Sequence, residues 1–329
     1  MCYIKISDLQ KIARQNGYAL PHFLGGSIEM VVGQIKAAEA MHSPLALGFA
    51  PEVFFMVPME ISLPLIANAA EKAKVPVAIQ LEHGRDFDMI MKAIKLGITS
   101  VMYDGSYLEY EENVRNTKEI VKAAHALDIS VEAELGSVGG SALRDATAKE
   151  SLFTEPEMVI DFVKRTNVDS LAVSFGNVHG KYTGAPTLDY DRVRRICAVV
   201  DTPLVMHGGS GLTVTEYRNC IDAGISTIHF YTGIAIGVWG HLKKNIGENI
   251  KDPVYHEIVQ QIIEYFYQQT LHVIDMLRSA DKASLRLEAA ETTPTQPDCL
   301  NPAISESDLI DVITEAVCSV LKKDGILRS

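Results

Sequence analysis

From Tyr18 to Ala280, apolar runs of strand length alternate with amphipathic stretches of helix length. No other feature constrains the fold as much. A strand flanked on both sides by helices is buried on both faces, so it reads as a nearly continuous apolar run. Runs at Tyr18–Phe23, Pro44–Phe49, Val75–Leu81, Thr99–Tyr103, Ser130–Leu135, Ser170–Phe175, Pro203–Met206 and Ser226–Tyr231 read as strands. Helical periodicity marks Ile28–Met41, Asp86–Leu96, Asn113–Ala126, Glu155–Arg165, Asp189–Val199 and Val214–Ala223. Eight such units predict an α/β protein closed as a (β/α)8 TIM barrel, with an open doubly wound sheet as the alternative that periodicity alone leaves. A barrel takes about 250 residues, so the 329-residue chain has room for one barrel and an appendage.

That appendage is legible too. Pro253–Ala280 predicts a long helix whose Tyr255, Tyr265, Phe266 and Tyr267 cover the barrel or meet a partner subunit. The barrel domain is expected over residues 1–284, a linker carrying Pro294, Pro297 and Pro302 over 285–304, and a C-terminal amphipathic helix over 305–329. Leu309, Val312, Ile313, Ala316, Val317, Val320 and Leu321 form the apolar stripe of that helix. It is expected to dock on its own barrel or on a partner, and its shape is similar to the helices that target enzymes to bacterial microcompartment shells.

Composition narrows the function. A net charge of −12 with scattered basic residues argues against nucleic acid and anionic membrane as partners. No apolar run reaches the roughly 18 residues of a membrane span, and Met1–Gly17 lacks a signal-peptide pattern. The five cysteines (Cys2, Cys197, Cys220, Cys299, Cys318) show neither pairing nor metal spacing, so a cytoplasmic protein is expected.

Five of the ten histidines fall at strand ends: His22, His83, His179, His207 and His229. Three of these stand in His-Gly pairs, where glycine ends the strand and lets the backbone turn. Ligand chemistry gathers at the carboxyl ends of parallel strands, so imidazoles from separate strands can meet there on one metal ion. Neutral imidazole suits Zn2+, which in catalytic sites keeps three protein ligands and an open position. Carboxylates accompany the histidines. Glu82 precedes His83, and Glu132 and Glu134 share one face of the fifth strand. Asp104 reads equally as a turn former or as a functional group. Gly208-Gly209-Ser210-Gly211 precedes a helix and Lys181 follows Gly180, both arrangements suited to an anion.

These residues resemble the zinc-dependent class II ketose-bisphosphate aldolases of the fructose- and tagatose-bisphosphate kind. The matching stretches are Leu81–Gly84, Ser100–Ser106, Val131–Gly140, Leu171–Tyr182 and Pro203–Leu212, in family order and within roughly residues 1–280. The resemblance implies Zn2+ on His83, His179 and His207, with Glu134 as an alternative ligand or behind the ligands. It places Gly180, Lys181, Gly208, Ser210 and Thr232 on a phosphorylated sugar. The implied reaction is reversible cleavage of a carbon–carbon bond beside a ketone through a metal-stabilised enediolate. It also implies a homodimer or homotetramer.

The chain departs from the family pattern at several positions. The catalytic acid/base is an Asp in the family and Glu82 here. The eighth strand carries an Asn, then an Asp or Asn, where this chain has His229 and Tyr231. The first strand ends in Ala-Phe-Asn, replaced by His22-Phe23-Leu24, and the Glu-Asp after Gly-Gly in the fifth loop is absent beside Gly140. The expectation is therefore an aldolase with an altered phosphorylated or anionic ketose, in which Glu82 shuttles a proton and His229 replaces the carboxamide. The alternatives are a metal- and sugar-phosphate-binding barrel without aldol chemistry, or a metal-dependent isomerase or lyase.

Overall fold

The computed structural model describes residues 4–51, 54, 57–140, 152–180, 182, 184, 186–246 and 252–286. Ten strands occur among them: β1 Leu20–Leu24, β2 Leu45–Phe49, β3 Val77–Gly84, β4 Ser100–Tyr103, β5 Ser130–Leu135, β6 Gly139–Gly140, β7 Ser170–Val173, β8 Val178–His179, β9 Leu204–Met206 and β10 Ile225–Phe230. Eight close into a barrel in the order β1-β10-β9-β7-β5-β4-β3-β2, with each neighbouring pair parallel. The expected TIM barrel is thus the observed fold, and each strand read from the sequence has its counterpart. The remaining two, β6 and β8, pair in parallel as a short separate sheet.

Ten helices accompany the strands: α1 Ile6–Gln15, α2 Ile28–Ala40, α3 Met59–Glu71, α4 Phe87–Lys95, α5 Tyr110–His125, α6 Pro156–Thr166, α7 Tyr190–Cys197, α8 Val214–Ala223, α9 Thr232–Asn245 and α10 Tyr255–Met276. Their ends follow local chemistry. The Asp86 carboxylate accepts from the Met89 amide at the start of α4, and Thr213 and Glu216 form a reciprocal capping box on α8. Pro156 opens α6, where its missing N–H costs nothing, and Asn167 ends that helix in the left-handed conformation.

Three helices, α1, α3 and α9, have no counterpart among the stretches read from the sequence. The first, α1, packs Ile6, Leu9, Ile12 and Ala13 against Tyr18, Leu20, Ala46 and Ala78. Its first amide donates to Ser100 Oγ at 3.0 Å. Those partners lie at the amino ends of their strands, so α1 closes that end and leaves the carboxyl ends as the working mouth. The second, α3, carries Pro64 within its span, a residue that ordinarily argues against a continuous helix. The long helix expected near Pro253 is α10, which packs on α2 and α9.

Candidate active site

Strand alternation sends neighbouring side chains to opposite faces, yet Glu82 and His83 both line one cavity at the barrel mouth. The backbone supplies the reason. The register of β3 against β4 shifts between Leu81 and Gly84, and His83 sits at φ 47°. An added residue in the ladder combined with a left-handed turn re-aims one side chain. Expectation and structure differ here: β3 runs on through Gly84, and the turn is made by the histidine itself. His179 differs as well, since it belongs to β8 rather than to the end of a barrel strand.

The structure brings the three His-Gly imidazoles together. His83, His179 and His207 each offer a nitrogen within 4.8 Å of the others. His179 Nε2 lies 3.4 Å from His207 Nδ1. Two nitrogens bound at 2.0–2.1 Å to a tetrahedral ion stand roughly 3.3 Å apart, so the spacing suits zinc. Two of the other ring nitrogens are tied down. His83 Nδ1 pairs with Asp104 Oδ2 at 3.0 Å, and His207 Nε2 with Glu132 Oε1 at 3.0 Å. Such carboxylate–imidazole pairs fix the ring and leave the opposite nitrogen for a metal. Asp104 is itself held by the Ser106 amide at 3.2 Å and hydroxyl at 2.7 Å.

Electrostatics follows from burial and these pairs. Burial opposes the charged form of His83, but the Asp104 hydrogen bond and charge outweigh it and raise the imidazole to about 9. Burial, then the charges of His83 and His207, hold His179 well below its ordinary value. His207 is raised because its Glu132 hydrogen bond overcomes burial. Burial, reinforced by the Asp104 charge, pushes Glu134 up to about 7. Glu134 Oε2 stands 4.0 Å from His207 Nδ1 and is a buried oxygen with no hydrogen-bond partner among the described residues. An orphaned carboxylate oxygen beside three convergent imidazoles is what a cation site leaves when only its protein atoms are considered.

A second cluster adjoins the first. His22 Nδ1 is 2.9 Å and His229 Nδ1 is 3.3 Å from Glu82 Oε1. Burial opposes ionisation of Glu82, but its two imidazole neighbours, His229 and His22, hold its carboxyl well below the usual range. Burial drives His229 down to about 3, so that imidazole is neutral near pH 7.

The residues expected to bind an anion lie on the same cavity. Gly180, Gly208, Ser210, His229 and Thr232 line it together with the three imidazoles. Gly208 adopts φ 71°, and a Cβ there would overlap the Val178 carbonyl, so only glycine lets this loop pass so close. Ser210 Oγ accepts from the Gly233 amide at 3.2 Å, joining that loop to the first turn of α9. The N-cap residue Tyr231 supplies no side-chain cap to α9, and the start of a helix attracts anions. Lys181 lies outside the described residues, as do residues 141–151 and the C-terminal helix.

The sequence reading missed two supporting residues as site members. Glu132 grips His207 and is braced by Gln80 Nε2 at 3.3 Å and Ser170 Oγ at 3.4 Å. Its parity with Glu134 on β5 was the available signal. His22 joins Glu82 only through barrel closure, which no local pattern shows.

Similarities to known proteins bear on this arrangement. A family model described as fructose-bisphosphate aldolase class-II matches residues 4–282. The Escherichia coli K12 protein described as "Uncharacterized protein YdjI" is 34% identical over 271 residues, covering 82% of this chain and 96% of that one. The crystal structure titled YdjI aldolase from the same organism superposes with a TM-score of 0.75 at 31% identity, covering 86% of this chain and 100% of that chain. A Coccidioides immitis structure, provisionally described as a fructose-1,6-biphosphate aldolase, gives a TM-score of 0.76 at 28% identity over 84% of this chain and 96% of that one.

Proposed function

The chain belongs to the class-II fructose-bisphosphate aldolase family, and on that premise we propose that it is a zinc-dependent aldolase reversibly cleaving a phosphorylated or otherwise anionic ketose. The observation that carries the proposal is one cavity lined by three convergent imidazoles, an unprotonated carboxylate and a glycine-rich loop joined to a helix start. His83, His179 and His207 would hold the ion, with Glu134 near enough to exchange as a ligand. When bound, zinc would polarise the ketone and take up the negative charge left as the carbon–carbon bond breaks.

The chain's own groups do the rest. Glu82 accepts the proton of the cleaved hydroxyl and returns it in the synthetic direction; it is ionised, and its Oε2 has no hydrogen-bond partner among the described residues. The Gly208–Ser210 loop and the start of α9 take the phosphate with Gly180 and Thr232, and the resemblance adds Lys181 as a further anion-binding residue. His229 faces the reacting end, where its neutral ring offers one donor. Burial of Glu82, His207 and His229 to within 5% exposure keeps bulk water from the proton step.

The test is product analysis. Metal-loaded protein incubated with a panel of ketose phosphates should release an aldehyde and a phosphorylated ketone. Rearranged ketose or dehydrated product with no aldehyde would reject the aldol reading. His179→Ala should lose both bound metal and turnover, and full activity in a metal-free variant would contradict the role given to the ion. The homodimer or homotetramer is read by light scattering. Among the described residues no helix is long and apolar enough to cross a membrane.

A further inference from the structure

Three positions at which this chain departs from the family pattern coincide in space: His22 on β1, Glu82 on β3 and His229 on β10. β1 and β10 are barrel neighbours, and His22 pairs in register with His229. The two rings stand edge to face with centroids 3.8 Å apart. All three residues are buried, at 0%, 0% and 5% exposure. Both ring nitrogens of each histidine and both oxygens of Glu82 lack a well-directed hydrogen bond among the described residues, and Glu82 Oε1 meets the two Nδ1 atoms only as close ion-pair contacts. A buried polar atom without a satisfied hydrogen bond costs free energy, and a whole cluster of them calls for a ligand rather than for packing.

Geometry says what kind. One donor atom from each residue lies within 4.8 Å of the other two. The separations from Glu82 Oε1, 2.9 Å to His22 and 3.3 Å to His229, approach the roughly 3.3 Å between neighbouring donors on a tetrahedral ion with 2.0–2.1 Å bonds. Two imidazoles and one carboxylate suit a borderline transition ion and not Ca2+ or Mg2+, which take oxygen donors. We propose that His22, Glu82 and His229 form a second divalent-metal site of the zinc class, beside the three-histidine centre. His207 and His229, with ring centroids 4.1 Å apart, form the wall between the two. Ligation through Glu82 Oε1, which lies between the rings, leaves Oε2 for the proton step. The site rests on geometry and stands apart from the aldol reading.

Counting ions tests it without turnover. Protein stripped by a chelator, dialysed against zinc alone and desalted should hold two equivalents by elemental analysis. His22→Ala and His229→Ala should each hold one. Crystals of the unaltered chain, measured above the zinc absorption edge, should show a second anomalous peak among His22, Glu82 and His229, a readout independent of how the variants fold. One equivalent with a single peak at the three-histidine centre overturns the proposal, leaving the cluster as a proton-sharing triad. Two equivalents that survive His22→Ala overturn it equally. A protein with two ions that releases no aldehyde would defeat the aldol reading alone.

Discussion

At the scale of single residues, Gly48 on β2 shows how tightly the mouth is filled. A methyl group there would overlap Glu82 Oε1 and come within 2.8 Å of His22 Nε2. Gly48→Ala is therefore expected to push the carboxylate off its imidazoles and cut turnover on the order of tenfold or more, as misplaced catalytic groups do. The three-histidine metal should be retained, and paired kinetic and metal assays check both. Asp104 acts at the same scale through His83. Removing its charge with Asp104→Asn frees the ring to turn and should weaken zinc binding roughly ten- to a hundredfold, measured by competition with a chelating dye. The sign with pH follows from the same pair. Asp104 raises His83 to about 9, above the ordinary 6.5, and a metal must displace that proton. Zinc affinity should rise with pH up to about 9, and the rise should flatten in Asp104→Asn because the proton there is held less firmly.

At the scale of elements, Gly33 sets the approach of two helices. A side chain on this α2 residue would meet the Ile263 carbonyl at 2.5 Å and the Tyr267 amide at 3.0 Å, both backbone atoms of α10. Gly33→Val should force the pair apart and cost roughly 1–3 kcal/mol, the usual range for overpacking, seen as a lower thermal midpoint. The elements themselves were largely legible. Doubly buried strands such as Leu45–Phe49 read as apolar runs because helices cover them outside and side chains fill them inside. Three helices, α1, α3 and α9, are not among the stretches read. Pro64 masks α3, while the spacing of Ile6, Leu9 and Ile12 gives α1 without saying what it covers. At the site, the His-Gly pairs announced themselves locally. The pairing of His22 with Glu82 and His229 did not, because it exists only once β1 meets β10. Nor could alternation foretell that Glu82 and His83 share a cavity, since a register shift undoes it.

At the scale of the whole molecule, α1 stoppers the amino end of the barrel and the chemistry gathers at the other, so stability and catalysis draw on different ends of the same strands. Every described residue placed at the site lies between His22 and Gly233. Deleting residues 300–329 is accordingly expected to leave kcat within about twofold while changing where the protein assembles, read by kinetics beside fractionation or pull-down. Loss of solubility would instead assign that segment to the barrel. The bend in β3 reaches furthest. Because Glu82 and His83 hang from one peptide unit, metal grip and proton hand-off are mechanically yoked, and neither can be retuned by sliding its own side chain. Selection for a new sugar is then driven outward, to the rim loops and the opposing strands, which would let specificity diverge while the central pair stays put.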